Sequence, residues 1–298
     1  MKFITYLYDG KERSGILKED KVIDLNESSN GKIPTDLLSV LENYEVYKNE
    51  LVELTGEGIP LSSVQLRAPL PRPSSIRDFY AFEEHVKTAR GRRGLEIIPE
   101  WYEVPVFYFT NHRAVIGPED QVQIPENCLR MDYELEIACV IGKEGTNLSV
   151  EEAEDYILGY TIMNDWSARD IQAHEMKVGL GPSKGKDFAT SIGPWIVTKD
   201  ELEQFKTDKS YDLTMTATVN GNVISSGNLS SIYYSFAQLI SHASKNVTLY
   251  PGDVIGSGTV GTGCILELGE EVHRWLEDGD EVELSITGLG TLRNIVRK

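Results

Sequence analysis

The chain has 298 residues, of which 40% are hydrophobic, enough for one large domain or a large and a small one. Its 47 acidic residues outnumber the 29 basic ones, and the formal charge of −18 argues against nucleic acid or an anionic membrane as the main partner. Cys128, Cys139 and Cys264 stand in apolar surroundings, which predicts reduced core thiols and no disulfide framework. We find no signal-peptide pattern and no apolar run of membrane-spanning length, and we therefore expect a cytoplasmic protein.

The first 65 residues are typical of a small α/β unit. Alternating apolar residues predict short strands near 3–7, 15–17 and 22–25, followed by an amphipathic helix from about 35 to 54. A proline-rich stretch, 68–75, predicts an extended connector. We therefore place a small N-terminal domain at 1–65 and a catalytic domain at 66–298.

The remainder of the chain alternates strands and glycine turns with few helices. A capping box at Ser149 and Glu152 predicts a helix that ends near 158. The Asn220-Gly221 turn predicts a hairpin. Further strands are predicted at 211–219, 223–224, 264–268 and 281–286. This pattern indicates an α+β, β-rich fold with a mostly antiparallel or mixed sheet.

The strand predicted over 131–141 carries two carboxylates where a core strand ordinarily has none. Side chains alternate along a strand, so Glu134 and Glu136 point the same way, about 7 Å apart. Ala138 and Val140 continue that face as apolar residues, which indicates a strand buried on both sides. Two ionised carboxylates in such a place repel each other and lose hydration unless a cation lies between them. A hard divalent cation, which oxygen ligands satisfy, is the natural candidate.

A second apolar run, 159–164, ends at Asp165, a position at which strands present functional side chains. The helical turn predicted after it places Arg169 and Gln172 three residues apart on one face, where both could reach one ligand. Taken alone, this segment is better explained by an aspartate that caps the turn and an arginine that pairs with a nearby acid.

Three further segments supply candidate residues. Asp78 precedes His85 by seven residues, and a histidine near a metal suits a general base because its pKa lies near neutrality. A loop rich in glycine and lysine carries Lys186, which could bind an anionic substrate. Glu267 lies in the predicted strand 264–268 and could orient a histidine. Each residue alone also fits an ordinary polar surface.

Two glycine-rich segments are similar to nucleotide-binding loops but lack the spacing or the secondary structure that such loops require. Residues 179–190 lack the spacing of a phosphate loop, and Asp187 stands where the magnesium-binding hydroxyl belongs. Residues 256–261 match the dinucleotide pattern, but the strand predicted after them leaves no helix N-terminus for a pyrophosphate. The histidine- and cysteine-based metal motifs are missing as well. The predicted metal site is therefore oxygen-only, which favours Mg²⁺, Mn²⁺ or Ca²⁺ over Zn²⁺.

Taken together, these segments resemble the fumarylacetoacetate hydrolase family. The most specific match is the Asn-Asp-Trp-Ser-Ala-Arg-Asp run at 164–170. The other matching segments are 78–80 with His85, 132–136, 180–182 with Gly185 and Lys186, 193–195, 251–253 and 257–259. The resemblance covers residues 66–298, and the N-terminal unit also looks like the family's prefix. It implies a mixed β-roll catalytic domain that binds one divalent cation, most simply Mg²⁺, and a homodimer.

The resemblance also implies a role for each matching residue. The implied metal ligands are Asp78, Glu134, Glu136 and Asp165. His85 is the implied general base, and Glu267 is the acid that orients it. The implied substrate contacts are Arg169, Gln172, Lys186, Tyr80 and Thr259, with Lys186 also stabilising developing charge. Arg92 or Arg93 is a candidate for an arginine that follows the histidine in fumarylacetoacetase, and 89–101 is a candidate lid.

These assignments lead to three hypotheses. The first is metal-assisted hydrolysis of a carbon–carbon bond in a β-diketo acid, a small anionic substrate such as fumarylacetoacetate or an acylpyruvate. The second is an isomerase or decarboxylase of a related keto acid, which would use the same site without attack by water. The third is a non-catalytic protein with a structural ion. His85, Lys186 and Glu267 argue against the third, because a structural ion needs none of them.

Overall fold

A computed structural model describes all 298 residues. Its strands, in chain order, are β1 Lys2–Tyr8, β2 Lys11–Lys18, β3 Lys21–Asp24, β4 Ile59–Pro60, β5 Gln65–Arg67, β6 Ile76–Phe79, β7 Phe107–Thr110, β8 Val115–Ile116, β9 Gln121–Gln123, β10 Met131–Asp132, β11 Leu135–Ile141, β12 Gly145–Thr146, β13 Ile157–Asp165, β14 Ser167–Ala168, β15 Thr190–Thr198, β16 Thr214–Val219, β17 Asn222–Asn228, β18 Thr248–Leu249, β19 Val254–Gly256, β20 Glu281–Ile286 and β21 Gly290–Arg297. The α-helices are α1 Leu25–Ser28, α2 Leu37–Glu42, α3 Tyr44–Glu53, α4 Glu83–Gly91, α5 Val150–Ala153, α6 Arg169–Glu175, α7 Phe236–Ala243 and α8 Ile265–Leu268.

A twelve-stranded sheet runs through the molecule. Its main path is β4-β3-β2-β1-β15-β13-β11-β19-β6-β7, with β5 beside β1 and β8 beside β15. A five-stranded sheet has the order β17-β16-β20-β21-β9, and β10-β14 and β12-β18 form two separate pairs. Most neighbours are antiparallel, whereas β19–β6, β15–β8 and β21–β9 are parallel. The predicted α+β fold with a dominant mixed sheet is confirmed.

Strand β11 shows how the layers are arranged, because its side chains alternate between two cores. Ile137 and Cys139 pack in the core that also holds the inner faces of β16, β20 and α7. Ala138 and Val140 pack on the opposite face, in a core shared with α2 and α3. Every residue of β11 is buried. The predicted burial on both sides is confirmed, and Glu136 lies at the end of the face that carries Ala138 and Val140.

Several predicted boundaries of helices and strands were wrong, because the backbone changes conformation where the sequence pattern predicts that the element continues. The helix predicted over 35–54 is two helices, α2 and α3, because Asn43 leaves the helical conformation between them. The capping box at Ser149 forms, but α5 ends at Ala153 and only a 3₁₀ turn follows it, so β13 begins at Ile157. The strand predicted over 131–141 is interrupted at 133–134, between β10 and β11.

The segment 264–268 forms the one-turn helix α8, so the predicted strand was wrong. Its first two amides, Ile265 N and Leu266 N, donate to the buried carboxylate of Asp132 at 2.8 and 3.1 Å. Gly269, at φ +87°, ends the turn. The dinucleotide interpretation of 256–261 still does not apply. The amides of this short helix are bound by Asp132 and are not free for a phosphate.

The N-terminal residues extend the same sheet that carries the candidate site. Lys2 and Phe3 of β1 pair with Val197 and Ile196 of β15. The division of the chain into domains at residue 65 stays a prediction. None of the α-helices has the length and apolar composition that a membrane-spanning helix requires. The three cysteines are free thiols; Cys139 and Cys264 are buried as predicted, whereas Cys128 is only partly buried.

Candidate metal centre and active site

Three buried carboxylates meet where adjoining strands of the large sheet begin or end. Asp78 lies on β6, Glu136 near the start of β11, and Asp165 at the end of β13. Strand β19 runs between β11 and β6, and its Gly256 pairs with Asp78. A Cβ at Gly256 would lie 2.5 Å from Asp78 Oδ1, so only glycine leaves room for this carboxylate.

We call these residues the three-carboxylate group. One carboxylate oxygen from each of Asp78, Glu136 and Asp165 lies within 4.8 Å of the other two. Glu136 Oε1 accepts from Thr259 at 3.3 Å, and Asp78 Oδ1 accepts from Gly258 N at 3.2 Å. Glu136 Oε2 and Asp165 Oδ1 are buried without any hydrogen-bond partner. Buried oxygens without donors are costly, and a bound cation would satisfy both.

The electrostatics of this group are those of crowded like charges. Burial raises the pKa of Asp78 well above its ordinary value, and the charge of Asp165 adds to the effect. Burial and the neighbouring Asp78 raise the pKa of Glu136 well above its ordinary value too. Burial raises the pKa of Asp165 to about 6, although Lys186 opposes it. Lys186 pairs with Asp165 but leaves Asp78 and Glu136 without an ion pair, and a hard divalent cation fits the donor set.

A second set of buried acids, Asp132 and Glu134, is bound by Arg169, and we call it the arginine-bound pair. Arg169 Nε donates to Asp132 Oδ2, and its Nη2 donates to Glu134 Oε1, both at 2.8 Å. The other oxygen of Glu134 accepts from Lys186 Nζ at 2.5 Å. Burial alone would raise the pKa of Glu134, but Lys186 and Arg169 lower it below its ordinary range.

The structure thus places the predicted metal ligands in two environments. Asp78, Glu136 and Asp165 lie together, whereas both oxygens of Glu134 are occupied by cationic donors. The assignment of Glu134 as a ligand stays a prediction, and it requires Lys186 to release that oxygen.

Lys186 connects the two sets. Its Nζ also donates to Asp165 Oδ2 at 2.5 Å. Burial would lower the pKa of this amine, but the charges of Asp165 and Glu134 raise it above its ordinary value. An ammonium has three donors, so one remains for a ligand in the cavity. Lys186 is therefore a charged and buried donor at the boundary between the two sets.

His85, on α4, contacts Glu267, on α8, across 182 positions of sequence. Nδ1 lies 2.5 Å from Glu267 Oε1, and both side chains are buried. Thr262 N donates to Glu267 Oε2 at 3.0 Å. Because Asp132 binds both Arg169 and the first amides of α8, one buried carboxylate connects the arginine with the helix that carries Glu267. The predicted contact between the histidine and the acid is present.

A cavity of about 320 Å³ opens above these groups. All predicted site residues except Asp165 and Glu267 line it, and these two contact the lining residues Lys186 and His85. Arg93 also lines the cavity, whereas Arg92 points away and donates to the backbone oxygens of Glu267 and Leu268. Of the two arginine candidates, Arg93 is therefore placed to meet a ligand.

Two residues were missed as site residues by sequence reasoning. Tyr108, on β7, lines the cavity, and its hydroxyl donates to Asp165 Oδ2. Its segment, Phe107–Thr110, has the composition of an ordinary aromatic strand, so no local signal distinguished it. Asp132 stood in the matching motif without a role. Its function as a connector depends on partners 37 and 133 positions away.

Comparison with known proteins identifies the family. Residues 74–297 match the family model described as fumarylacetoacetate (FAA) hydrolase C-terminal. The chain belongs to the fumarylacetoacetate hydrolase family. Among curated relatives, the oxaloacetate tautomerase YisK of Bacillus subtilis is 31% identical over 316 residues, covering 99% of both chains. The resemblance stated from the sequence motifs is confirmed.

Solved structures agree on the fold and differ in chemistry. A fumarylacetoacetate hydrolase from Exiguobacterium antarcticum superposes with a TM-score of 0.76 at 26% identity, over 100% of this chain and 99% of that one. A 5-carboxymethyl-2-hydroxymuconate delta-isomerase from Mycobacterium smegmatis gives 0.71 at 28% identity over the same shares. The maleylpyruvate hydrolase of Sphingobium sp. SYK-6, with manganese(II) and pyruvate bound, gives 0.74 at 23% identity over 100% of this chain and 99% of that one. Family members thus include hydrolases, isomerases and a tautomerase, and one of these neighbours binds a divalent metal.

Proposed function

We propose that this protein is a divalent-metal-dependent hydrolase that cleaves a carbon–carbon bond in a β-diketo acid of the fumarylacetoacetate or acylpyruvate type. The observation that carries the proposal is the buried contact of His85 with Glu267 beside the three-carboxylate group. Activation of a water molecule requires a base that is oriented and lies near an electrophilic centre. An ion with a purely structural role would need neither residue.

Asp78, Glu136 and Asp165 would hold the cation, with the oxygens that lack hydrogen-bond partners as the first donors. When bound, a cation such as Mg²⁺ supplies Lewis-acid polarisation of the substrate's keto oxygen. Mn²⁺ and Ca²⁺ are compatible with the same oxygen donors. Lys186 would hold Asp165 by its second oxygen, leaving Oδ1 free for the ion.

The chain's own residues would move the proton. His85 Nδ1 stays hydrogen-bonded to Glu267, so Nε2 carries the lone pair that accepts a proton from water. The hydroxide oxygen adds to the distal carbonyl carbon, and the adjacent carbon–carbon bond breaks. Negative charge then develops on the departing fragment, where Lys186 would donate a hydrogen bond. The imidazolium returns its proton to that carbon, which restores the histidine.

The lining of the cavity favours an anionic substrate although the chain as a whole is acidic. Arg90 and Arg93 line it, and their Nε atoms donate to backbone oxygens without an ion pair to any carboxylate. Arg169 and Gln172 lie on the lining as well, joined by a hydrogen bond of 3.2 Å. Tyr80 and Thr259 complete the proposed substrate contacts. A small keto acid is the proposed partner, and the homodimer and the lid at 89–101 stay predictions.

A second candidate function is tautomerisation, isomerisation or decarboxylation of a related keto acid. It is favoured by the oxaloacetate tautomerase relative, which matches this chain over nearly the whole length of both. The same groups would serve it, because it needs a polarised keto oxygen and a proton carrier but no attack by water.

Assays with one panel of substrates distinguish the two candidate functions. We would assay an acylpyruvate, fumarylpyruvate, fumarylacetoacetate and oxaloacetate with Mg²⁺ and with Mn²⁺, in the wild type and in His85→Ala. A hydrolase consumes the β-diketo acids and loses that activity in His85→Ala. A chelator should abolish it, and metal should restore it.

The outcomes are distinct. Turnover of oxaloacetate without turnover of the β-diketo acids would support the second candidate over the first. Activity that survives both the chelator and Glu136→Gln would contradict metal-dependent chemistry altogether. Glu134→Gln in parallel tests whether this residue is a ligand, because a ligand variant should weaken metal binding and a substrate-side variant should not.

A further inference from the structure

A third potential metal donor lies beside the contact between His85 and Glu267. Cys264 Sγ is fully buried and lies 3.6 Å from Glu267 Oε1. The sulfur, the carboxylate oxygen and a ring nitrogen of His85 all lie within 4.8 Å of one another. Cys139, the other fully buried cysteine, lies on β11 in the apolar core and belongs to no such group.

We propose that Cys264, His85 and Glu267 form a second, inhibitory site that binds a thiophilic divalent cation of the Zn²⁺ class. A thiolate, an imidazole and a carboxylate are the donors that Zn²⁺ takes in proteins. The three-carboxylate group offers oxygen only, which suits Mg²⁺ or Mn²⁺. Two sites that prefer different classes of metal ion would therefore lie near one another, one of them including His85 and the other close to it.

The geometry requires a modest change. With Zn–S near 2.3 Å and Zn–N and Zn–O near 2.0 Å, tetrahedral donors lie about 3.3–3.6 Å apart. The distance from Cys264 Sγ to Glu267 Oε1 already has that value, whereas His85 Nδ1 must move about 1 Å away from the carboxylate. Arg92 holds the backbone oxygens of Glu267 and Leu268 from outside, so α8 can keep its place.

The protons balance in a simple way. The Cys264 thiol releases its proton to solvent and binds as thiolate. His85 loses the Nδ1 proton and takes one at Nε2, so the net release is one proton per ion bound. A ring that binds metal at Nδ1 and carries a proton at Nε2 has no lone pair left to accept a proton from water. Inhibition follows, and this part of the inference depends on the proposed function.

The surroundings favour a small cation over a bulky thiol reagent. Burial, followed by the charge of Asp132, raises the pKa of the Cys264 thiol well above its ordinary value. The negative charge of Glu267, which also raises this pKa, attracts a cation, and the absence of exposed surface excludes an alkylating agent. We therefore expect iodoacetamide to leave Cys264 unmodified in the folded protein while Cd²⁺ binds it.

Cd²⁺ tests the site directly, because its bond to a thiolate gives an ultraviolet charge-transfer band. The folded protein would be titrated with Cd²⁺ in excess Mg²⁺, which occupies the oxygen-only site. We expect a band that saturates at about one ion per chain in the wild type and in the control Cys139→Ser. Cys264→Ser should lose the band. Glu267→Gln keeps the thiol and should bind at least about tenfold more weakly, equivalent to ~1.4 kcal/mol.

Two results would overturn the proposal: no band in the wild type, or a band that survives in Cys264→Ser. If Cys264→Ser does not fold, as judged by thermal unfolding, the titration of Glu267→Gln decides by itself. Unchanged Cd²⁺ affinity in that variant would then count against the site.

The functional arm uses Zn²⁺ as inhibitor at saturating Mg²⁺, with each variant's rate divided by its own rate without zinc. The half-inhibiting concentration should rise at least about tenfold in Cys264→Ser and stay unchanged in Cys139→Ser. An equal response in both variants would overturn inhibition through the thiol. If no substrate is turned over, the proposed function fails while the Cd²⁺ band still supports the site.

Discussion

The two sets of buried carboxylates differ in what satisfies them. In the arginine-bound pair, Asp132 and Glu134 accept from guanidinium, ammonium or backbone donors. In the three-carboxylate group, Glu136 and Asp165 each keep one buried oxygen without a donor. Both sets are buried carboxylates of one candidate site, yet every oxygen of the first set accepts a hydrogen bond from the chain and two oxygens of the second set accept none. The difference indicates which acids support the site and which are left for an ion.

The largest expected effect comes from Glu136→Gln, which should act oppositely on activity and stability. Loss of a ligand should reduce turnover by at least about a thousandfold, or ~4 kcal/mol. Without metal, the same change removes a buried like charge, so the midpoint of thermal unfolding in chelator should rise. Turnover with Mg²⁺ and thermal unfolding in chelator measure the two effects.

The exposed Glu144→Gln is the matched control and should change neither quantity. A fall in the unfolding temperature of Glu136→Gln would contradict the proposed difference between the two sets of carboxylates. It would mean that the chain itself stabilises the ionised Glu136.

Asp132→Asn should show the opposite pattern, with stability lost whether or not metal is present. The substitution leaves the buried Arg169 short of its partner, which costs about 3 kcal/mol. It also weakens the acceptor for the first amides of α8, so His85 should lose its ordered contact with Glu267. Urea unfolding gives the stability, and turnover should fall as well.

The neighbouring Asp170→Asn is the control for that experiment. Its carboxylate accepts from Leu129 N at 2.8 Å, so a cost below about 1 kcal/mol is expected. If metal restored the stability of Asp132→Asn to the wild-type value, Asp132 would belong with the metal ligands and not with the arginine-bound pair.

The sequence predicted the acids of the site better than their environments. Strand alternation predicted Glu134 and Glu136 on one face, and both line the cavity, although Glu134 lies in the break before β11. The apolar run predicted that Asp165 ends its strand, and β13 does end there. Whether a donor reaches each oxygen depends on Arg169 and Lys186, which lie tens of positions away. Strand periodicity carries no information about such contacts, so the sequence placed all the acids in one ligand set.

The same limit explains the error at α8. Residues 264–268 are a short apolar stretch interrupted only by Glu267, and this local composition favours a strand. The segment coils because Asp132, 133 positions earlier, binds the amide of Ile265. Tertiary contacts outweighed the local sequence preference. The helical turn that results places Glu267 against His85. Glu267, the candidate partner of His85, therefore lies in the segment where the local prediction failed.

Asp280 extends the comparison to a carboxylate far from any proposed metal. It is buried, and it accepts from Arg274 at 2.6 and 3.0 Å, from Asn220 at 2.8 Å and from Glu277 N at 2.8 Å. Burial would raise the pKa of this carboxyl, but Arg274 and Asn220 lower it from 3.8 to about 2. If hydrogen-bond donors determine how a buried carboxylate responds to metal, Asp280 should resemble the arginine-bound pair. Its contribution to stability should then not depend on metal.

Asp280→Asn should cost about 1.5 kcal/mol of unfolding free energy at neutral pH, since it weakens hydrogen bonds to a charged acceptor. Because the pKa of Asp280 is lower in the folded state, ionisation stabilises the fold above pH 3.8, and this contribution disappears as the pH falls through 2. The difference between variant and wild type should therefore be constant from pH 7 to about 5 and shrink below 3.8. Urea unfolding at a series of pH values, with chelator present, measures it. A difference that persists at pH 2 would mean that packing, and not charge, holds Asp280 in place.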